Sequence, residues 1–153
     1  MTEAVEVLQQ FWTQFEAAYS KDQWAQLEAI YAPEAEYRVY GLPTPTVLVG
    51  PTQICQGLQR SVTNFDRHFD QRQHRIVATL PMFDQVVHYF TRVEYRKAGL
   101  PDLNTITRSE LMVEGGKIVR NVNYWDPAFI ETQQALAWFA EYGPQLGLDP
   151  SYC

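Results

Sequence analysis

The sequence predicts an α+β fold in one domain spanning residues 1–153, and three observations carry that expectation. Apolar residues recur at helical spacing over residues 4–19, 24–31 and 54–69. Alternation with a period of two takes over from His74 to Trp125, and helical spacing returns from Phe129 to Trp138. Helices gathered on one side of a meander of strands are the arrangement this order calls for.

Taken in order, Ala4, Leu8, Phe11, Trp12, Phe15, Ala18 and Tyr19 form one apolar stripe and hence a first helix. Asp22 stands where an N-cap belongs, ahead of Trp24, Leu27, Ile30 and Tyr31, and Pro33 ends that second, short helix. EAEYRVY alternates and is rich in Tyr and Val, so it predicts a strand with Tyr37 and Val39 on one face. A loop holding Pro43 and Pro45 follows. Gly50 and Pro51 open a third helix, with Ile54, Leu58, Val62, Phe65 and Phe69 as its stripe. HRIVATL, QVVHYFTRVEYR, NTITRSELMV and KIVRNVNYW then read as four strands of an antiparallel meander, separated by PMFD, a Gly99–Asp102 loop and EGGK. Asp126, before Pro127, is placed to cap a last helix that Gly143-Pro144 closes.

At 153 residues a chain buries roughly 70% of its unfolded surface, enough for a core without metal or disulfide staples. Aromatic residues make up 14%, an excess that suits a core or a cavity lining. The net charge of −6, with scattered Lys and Arg, speaks against nucleic acid as a partner. No apolar run of membrane length is present and MTEAVEVLQQ opens acidic, so a soluble, cytoplasmic protein without membrane contact is expected. Cys55 and Cys153 have no metal-ligand spacing; Cys55, on an apolar helix face, reads as a small buried hydrophobe, and Cys153 as a frayed end.

IYAPEAEYRVY before the first strand, VGPTQICQGL at the third helix and VEGGKIVRNVNYWDP at the last hairpin occur in an order that resembles the nuclear-transport-factor-2-like (NTF2-like, SnoaL-like) superfamily. The resemblance spans nearly the whole chain. It implies a cone-shaped fold, a curved antiparallel sheet with helices on its concave face around one pocket, and a homodimer through the convex face. Within the superfamily the chain looks most like limonene-epoxide hydrolases, whose catalytic strand reads Arg-x-Asp and whose last strand reads Asp-Tyr-Phe-Asp. The corresponding words are Arg92-Val93-Glu94 and Asn123-Tyr124-Trp125-Asp126, with Tyr37 at the place of a water-binding tyrosine and Val39 at that of an asparagine. Asn123 replaces the carboxylate base and Glu94 its aspartate partner. A carboxamide accepts no proton near neutral pH, so that mechanism does not transfer as written. Against the ketosteroid isomerases, Val39 meets the base aspartate and Phe15 the phenolic donor, which makes that activity unexpected.

Placed in such a cone, the face of His88, Phe90, Arg92 and Glu94 is expected to look into the cavity, together with Thr107 and Ser109 on the next strand and Asn121, Asn123 and Trp125 on the last. Val87, Tyr89, Val93 and Tyr95 then form the dimer face. His88 is the one histidine expected inside, His68 belonging to a helix end and His74 to a strand edge. Arg92 and Glu94 are expected to form an ion pair satisfied by Asn123. Arg92, Glu94, Asn123 and His88 are the catalytic candidates. Tyr37, Val39, Phe15, Tyr19, Phe90, Thr107, Ser109, Asn121 and Trp125 are the ligand-binding ones. The expected function is cofactor-independent acid–base chemistry on an oxygenated, largely apolar small molecule, by isomerisation, cyclisation, dehydration or water addition. The alternative is a module that holds such a ligand without turnover.

Overall fold

A computed structural model describes residues 1–148; Cys153 lies outside the described residues. Helix α1 (Glu3–Lys21) begins where Thr2 Oγ1 accepts the Val5 N–H, and it buries Ala4, Val7, Leu8, Phe11, Phe15 and Ala18. It ends on Asp22, whose φ of 54° is left-handed. That conformation terminates a helix and is unsuited to an N-cap, which takes extended backbone. Asp22 therefore closes α1 instead of starting a second helix, and its carboxylate accepts the Trp24 indole N–H at 2.8 Å. Trp24–Ile30 winds as a 3₁₀ helix.

Strand β1 (Tyr31–Tyr40) absorbs Pro33 near an irregularity in its pairing between Tyr31 and Glu36. The Pro-rich loop is a turn into a further strand, β2 (Thr46–Val49), too short to show a pattern in the sequence. Helix α2 (Pro51–Asn64) carries Pro51 in its first turn as expected. Then come β3 (Gln71–Phe83), β4 (Val86–Arg96), β5 (Leu103–Glu114) and β6 (Lys117–Tyr124), the expected antiparallel meander. The sheet order is β2-β1-β6-β5-β4-β3. The sheet is mixed rather than wholly antiparallel, because β1 lies parallel to β6. The long connection through α2 and the meander permits that pairing.

Helix α3 (Ile130–Tyr142) starts later than expected. Asp126 is not its cap: the Phe129 N–H closes a turn on the Asp126 carbonyl first, and the Asp126 carboxylate takes the Ala128 N–H and Arg108. Past Tyr142 the chain continues as a 3₁₀ helix over Gly143–Leu146. Because β6 stops opposite Arg108, the Leu103–Thr107 part of β5 pairs with β4 alone, and α3 packs on β5. No helix among the described residues is long and apolar enough to cross a membrane.

Register decides which side chains meet the helices. Tyr89 pairs with Ser109 and Ser109 with Asn123, while Thr91 pairs with Thr107 and Val93 with Thr105. Partners directly across a ladder share a face. Val87, Tyr89, Thr91, Val93 and Tyr95 therefore turn inward and are at most 9% exposed. The expected face of β4 is thus inverted: His88, Phe90, Arg92 and Glu94 lie half-exposed on the convex side. The apolar set is the one that gains from burial under helices, and it prevails. Val87, Tyr89, Val93 and Tyr95 consequently cannot be a dimer contact. The Arg92–Glu94 ion pair does not form either, since each finds a partner elsewhere: Arg92 with Glu131 at 3.3 Å and Glu94 with Arg75 at 2.8 Å.

Candidate ligand cavity

Between the concave face and helices α1 and α2 lies a cavity of about 360 Å³. Phe11, Trp12 and Phe15 of α1, Leu58, Val62 and Phe65 from α2 and its end, and Trp125 beyond β6 supply apolar wall. Of the residues singled out in the sequence, Tyr37, Val39, Phe15, Thr107, Asn121, Asn123 and Trp125 line it. Ser109 sits buried behind Asn123, and Tyr19 stacks on the Arg72 guanidinium at 4.2 Å. His88 and Phe90 do not reach the cavity. His88 contacts Glu110 at 3.1 Å on the outer face, and Phe90 packs on Phe129.

One polar group spans the floor. Ser109 Oγ donates to Asn123 Oδ1 at 2.6 Å, and Asn123 Nδ2 donates to the Tyr37 hydroxyl at 2.7 Å. This chain runs in one direction, so the Tyr37 oxygen receives a hydrogen bond and its own proton is left to donate. Burial first, and Tyr89 second, push the Tyr37 phenol well up against the opposing Asn123 contact, so it stays protonated at neutral pH. Beside it Tyr89, pushed up to about 12 by burial, donates to Asn121 Oδ1 at 3.0 Å. Thr91 and Thr107 hydroxyls meet at 2.5 Å farther along.

A second polar group, absent from the sequence-based candidates, gathers around Asp66. Asp66 follows α2, and Tyr95 donates its phenolic hydrogen to Oδ1 at 2.7 Å while Arg72 Nε lies 3.5 Å from Oδ2. Burial raises the Asp66 carboxyl above the ordinary aspartate range, outweighing Arg72 and Tyr95. Arg72 also forks onto Glu16, at 3.1 and 3.2 Å. Burial alone would raise Glu16, but the Arg72 guanidinium forked onto it prevails and holds it below its ordinary value. Arg72 Nη2 lies 2.6 Å from His74 Nδ1, nearer than Glu16 Oε1 at 3.4 Å. A guanidinium can only donate, so Nδ1 accepts and the neutral imidazole carries its proton on Nε2. Burial keeps it neutral by lowering its pKa. Asp66, Arg72, His74 and Tyr95 all line the cavity, so the histidine inside is His74, not His88.

Tyr89 and Tyr95 bracket these two groups on β4; six residues at roughly 3.4 Å each set them at most about 20 Å apart along the strand. The cavity is therefore polar at two stations, with Thr91, Thr107, Thr105 and Val93 lining the stretch between them and apolar wall around it. The lining residues most open to solvent are Arg60 and Ser61 on α2, and they mark its mouth. Gly41 fixes the adjoining end of β1: its φ is +88°, and a Cβ there would lie 2.1 Å from the Trp125 carbonyl oxygen.

Comparison with solved structures places this architecture. A protein with a ketosteroid isomerase-like fold from Catenulispora acidiphila, in complex with trimethylamine, matches with a TM-score of 0.62 at 16% identity, covering 94% of this chain and 96% of that one. An NTF2-like protein from Anabaena variabilis matches at 0.62 and 13%, covering 80% and 88%. The chain has the NTF2-like fold. A third match, an M. tuberculosis LEH-like epoxide hydrolase, aligns at 0.57 and 13%, covering 91% and 96%. No family model matches the sequence, and no curated protein matches it.

The NTF2-like frame also shows why the epoxide-hydrolase words misled. Arg92-Val93-Glu94 presents only Val93 to the cavity, and the residues in register with Asn123 on the neighbouring strands are Ser109 of β5 and Val39 of β1. Asp66 had a sequence signal of a weak kind, a carboxylate inside the apolar pair Phe65 and Phe69. No group of three or more His, Cys, Asp or Glu poised for a metal occurs among the described residues.

Proposed function

We propose that the cavity binds an elongated, largely apolar molecule bearing oxygen functions and moves a proton on it without a cofactor. The observation that carries this is a carboxyl group, Asp66, buried in the lining and held above its ordinary range beside a fixed cation. A base with a raised pKa is the better proton acceptor. Tyr37, with its free hydroxyl hydrogen, and Asn123 hold a second oxygen at the other station. The catalytic role expected of Glu94 and His88 thereby passes to Asp66, while Asn123 keeps a binding role.

Proton abstraction beside a carbonyl is the reaction class to test. With 2-tetralone in D2O, Asp66 would take an α-proton, the electron pair would pass to the carbonyl oxygen, and a deuteron would return to carbon. Exchange followed by proton NMR should be faster with the protein than with buffer. Asp66→Asn should lower it by about a hundredfold or more with the fold retained. Binding of 2-tetralone without exchange above buffer rejects the catalytic reading.

A non-catalytic ligand module is the second reading, and one observation favours it: the inward polar groups largely satisfy each other, Ser109 with Asn123 and Tyr37, Tyr89 with Asn121, Arg72 with Glu16. The homodimer belongs to the same proposal. Its contact moves to the outer apolar residues of β3, where Leu80 is 53% and Phe83 70% exposed. Light scattering that returns a monomer at micromolar concentration ends that part.

A further inference from the structure

Arg60 is the one arginine of the described residues without a commitment. Arg38, Arg72, Arg75, Arg92, Arg96, Arg108 and Arg120 pair with carboxylates, and Arg67 donates to the Tyr19 carbonyl. Arg60 makes no such contact, is exposed, and stands on the cavity lining next to Ser61. Helical side chains lean back over the preceding turn. For Arg60 that turn holds Gly57, which also lines the cavity and whose missing side chain makes room for Leu48 of β2. The helix is close to β2 at that point, since a Cβ on Gly57 would lie 2.3 Å from Leu48 Cδ1. Arg60 thus lies on the cavity lining beside the place where α2 and β2 close together, with its guanidinium unengaged.

We propose, on the reading of the cavity as a ligand site, that Arg60 selects amphiphiles carrying one anionic group, which stays at the mouth while the apolar body enters. Charge farther in enforces that orientation. The inner cation, Arg72, is already engaged by Glu16 and Asp66, and these two carboxylates repel an anion that goes deeper. The chain as a whole carries a net charge of −6, so an anionic ligand gains nothing from the overall field and depends on a local cation. A guanidinium donates in a planar fork that matches carboxylate, sulfonate or phosphate oxygens.

Two fluorescent probes isolate the anion. 1-Anilinonaphthalene-8-sulfonate and N-phenyl-1-naphthylamine share a ring system, and only the first is charged. Titrations at low salt compare the wild type with Arg60→Gln, Arg60→Lys and, as an exposed arginine outside the cavity lining, Arg96→Gln. Arg60→Gln should weaken the sulfonate about tenfold or more, the lower end of the scale for one charge-assisted hydrogen bond, and leave the neutral amine within about twofold. Arg60→Lys should recover most of the loss, and higher salt should shrink the difference. The proposal is overturned if Arg60→Gln leaves the sulfonate unchanged, weakens both probes alike, or is matched by Arg96→Gln. If the wild type binds the neutral amine and any of these occurs, only the role of Arg60 fails. If it binds neither probe, the cavity reading fails and this proposal with it.

Discussion

The phenol of Tyr95 donates to Asp66 Oδ1 at 2.7 Å, joining the inner face of β4 to the end of α2 and holding a carboxylate against the cavity. Tyr95→Phe keeps the ring, which packs edge-on to Phe65, and removes only the donor. A hydrogen bond to a buried charged group contributes about 1.5–3 kcal/mol. Urea unfolding should show a loss in that range at neutral pH, and a much smaller one where Asp66 is protonated.

Stability should also fall as the medium is acidified through the range in which an ordinary histidine titrates. The His74 pKa is lowered by burial from 6.5, so the folded state prefers the neutral ring. Its contribution is fully present above 6.5 and is lost as pH falls through the depressed folded value. Glu16, also depressed, acts in the same sense at lower pH, whereas Asp66, raised, gains on protonation and offsets part of the loss. Thermal melts should therefore decline below about pH 6.5 in the wild type and much less in His74→Gln, whose amide oxygen can still accept from Arg72. Equal declines would assign the slope to other groups.

Ser109 anchors the floor network from behind. Ser109→Ala leaves the half-buried Asn123 carbonyl oxygen without its donor, and losing one such hydrogen bond costs about 0.5–1.5 kcal/mol. Freed of that partner, the Asn123 amide can turn and release Tyr37. Affinity for an oxygenated probe should fall with stability, while affinity for a hydrocarbon of similar size should change little. Calorimetry on both ligands separates the two effects.

Much of this was legible in the sequence because periodicity reports burial directly. The stripe of α1, the Pro51 start of α2 and the four-strand meander follow from spacing and turn chemistry. Strand parity groups Thr107 with Ser109 on β5 and Asn121 with Asn123 on β6, and the family resemblance turned those faces inward, where Thr107, Asn121 and Asn123 line the cavity and Ser109 is buried. On β4 the two available arguments conflicted. Apolar burial favoured Tyr89, Val93 and Tyr95 inside, and the family word Arg-x-Glu favoured Arg92 and Glu94. Register with Ser109 and Thr107 decides for burial. Asp66, Arg72, His74 and Glu16 could not be read as a group, since they come from three separate stretches of chain and meet only once β3 lies beside α1. Asp22 and Asp126 show the limit of capping rules: both are polar residues at a helix boundary, and backbone φ at the first and a competing turn at the second give them other work.

The most direct test of the account uses two neighbouring residues of β4 that differ only in the face they present. Thr91 is 7% exposed and lines the cavity, whereas the Arg92 side chain is on the convex side and 36% exposed. Thr91→Phe and Arg92→Phe are titrated with N-phenyl-1-naphthylamine after circular dichroism has established that each is folded. Thr107→Phe, on the strand paired with Thr91, serves as a second inward variant. The account predicts that filling the cavity at Thr91 or Thr107 lowers affinity by about tenfold or more, the scale of lost apolar contact for a group of that size, and that Arg92→Phe stays within about twofold of the wild type. Unchanged binding in both inward variants, with a loss in Arg92→Phe, would place the ligand on the other face of the sheet and contradict it.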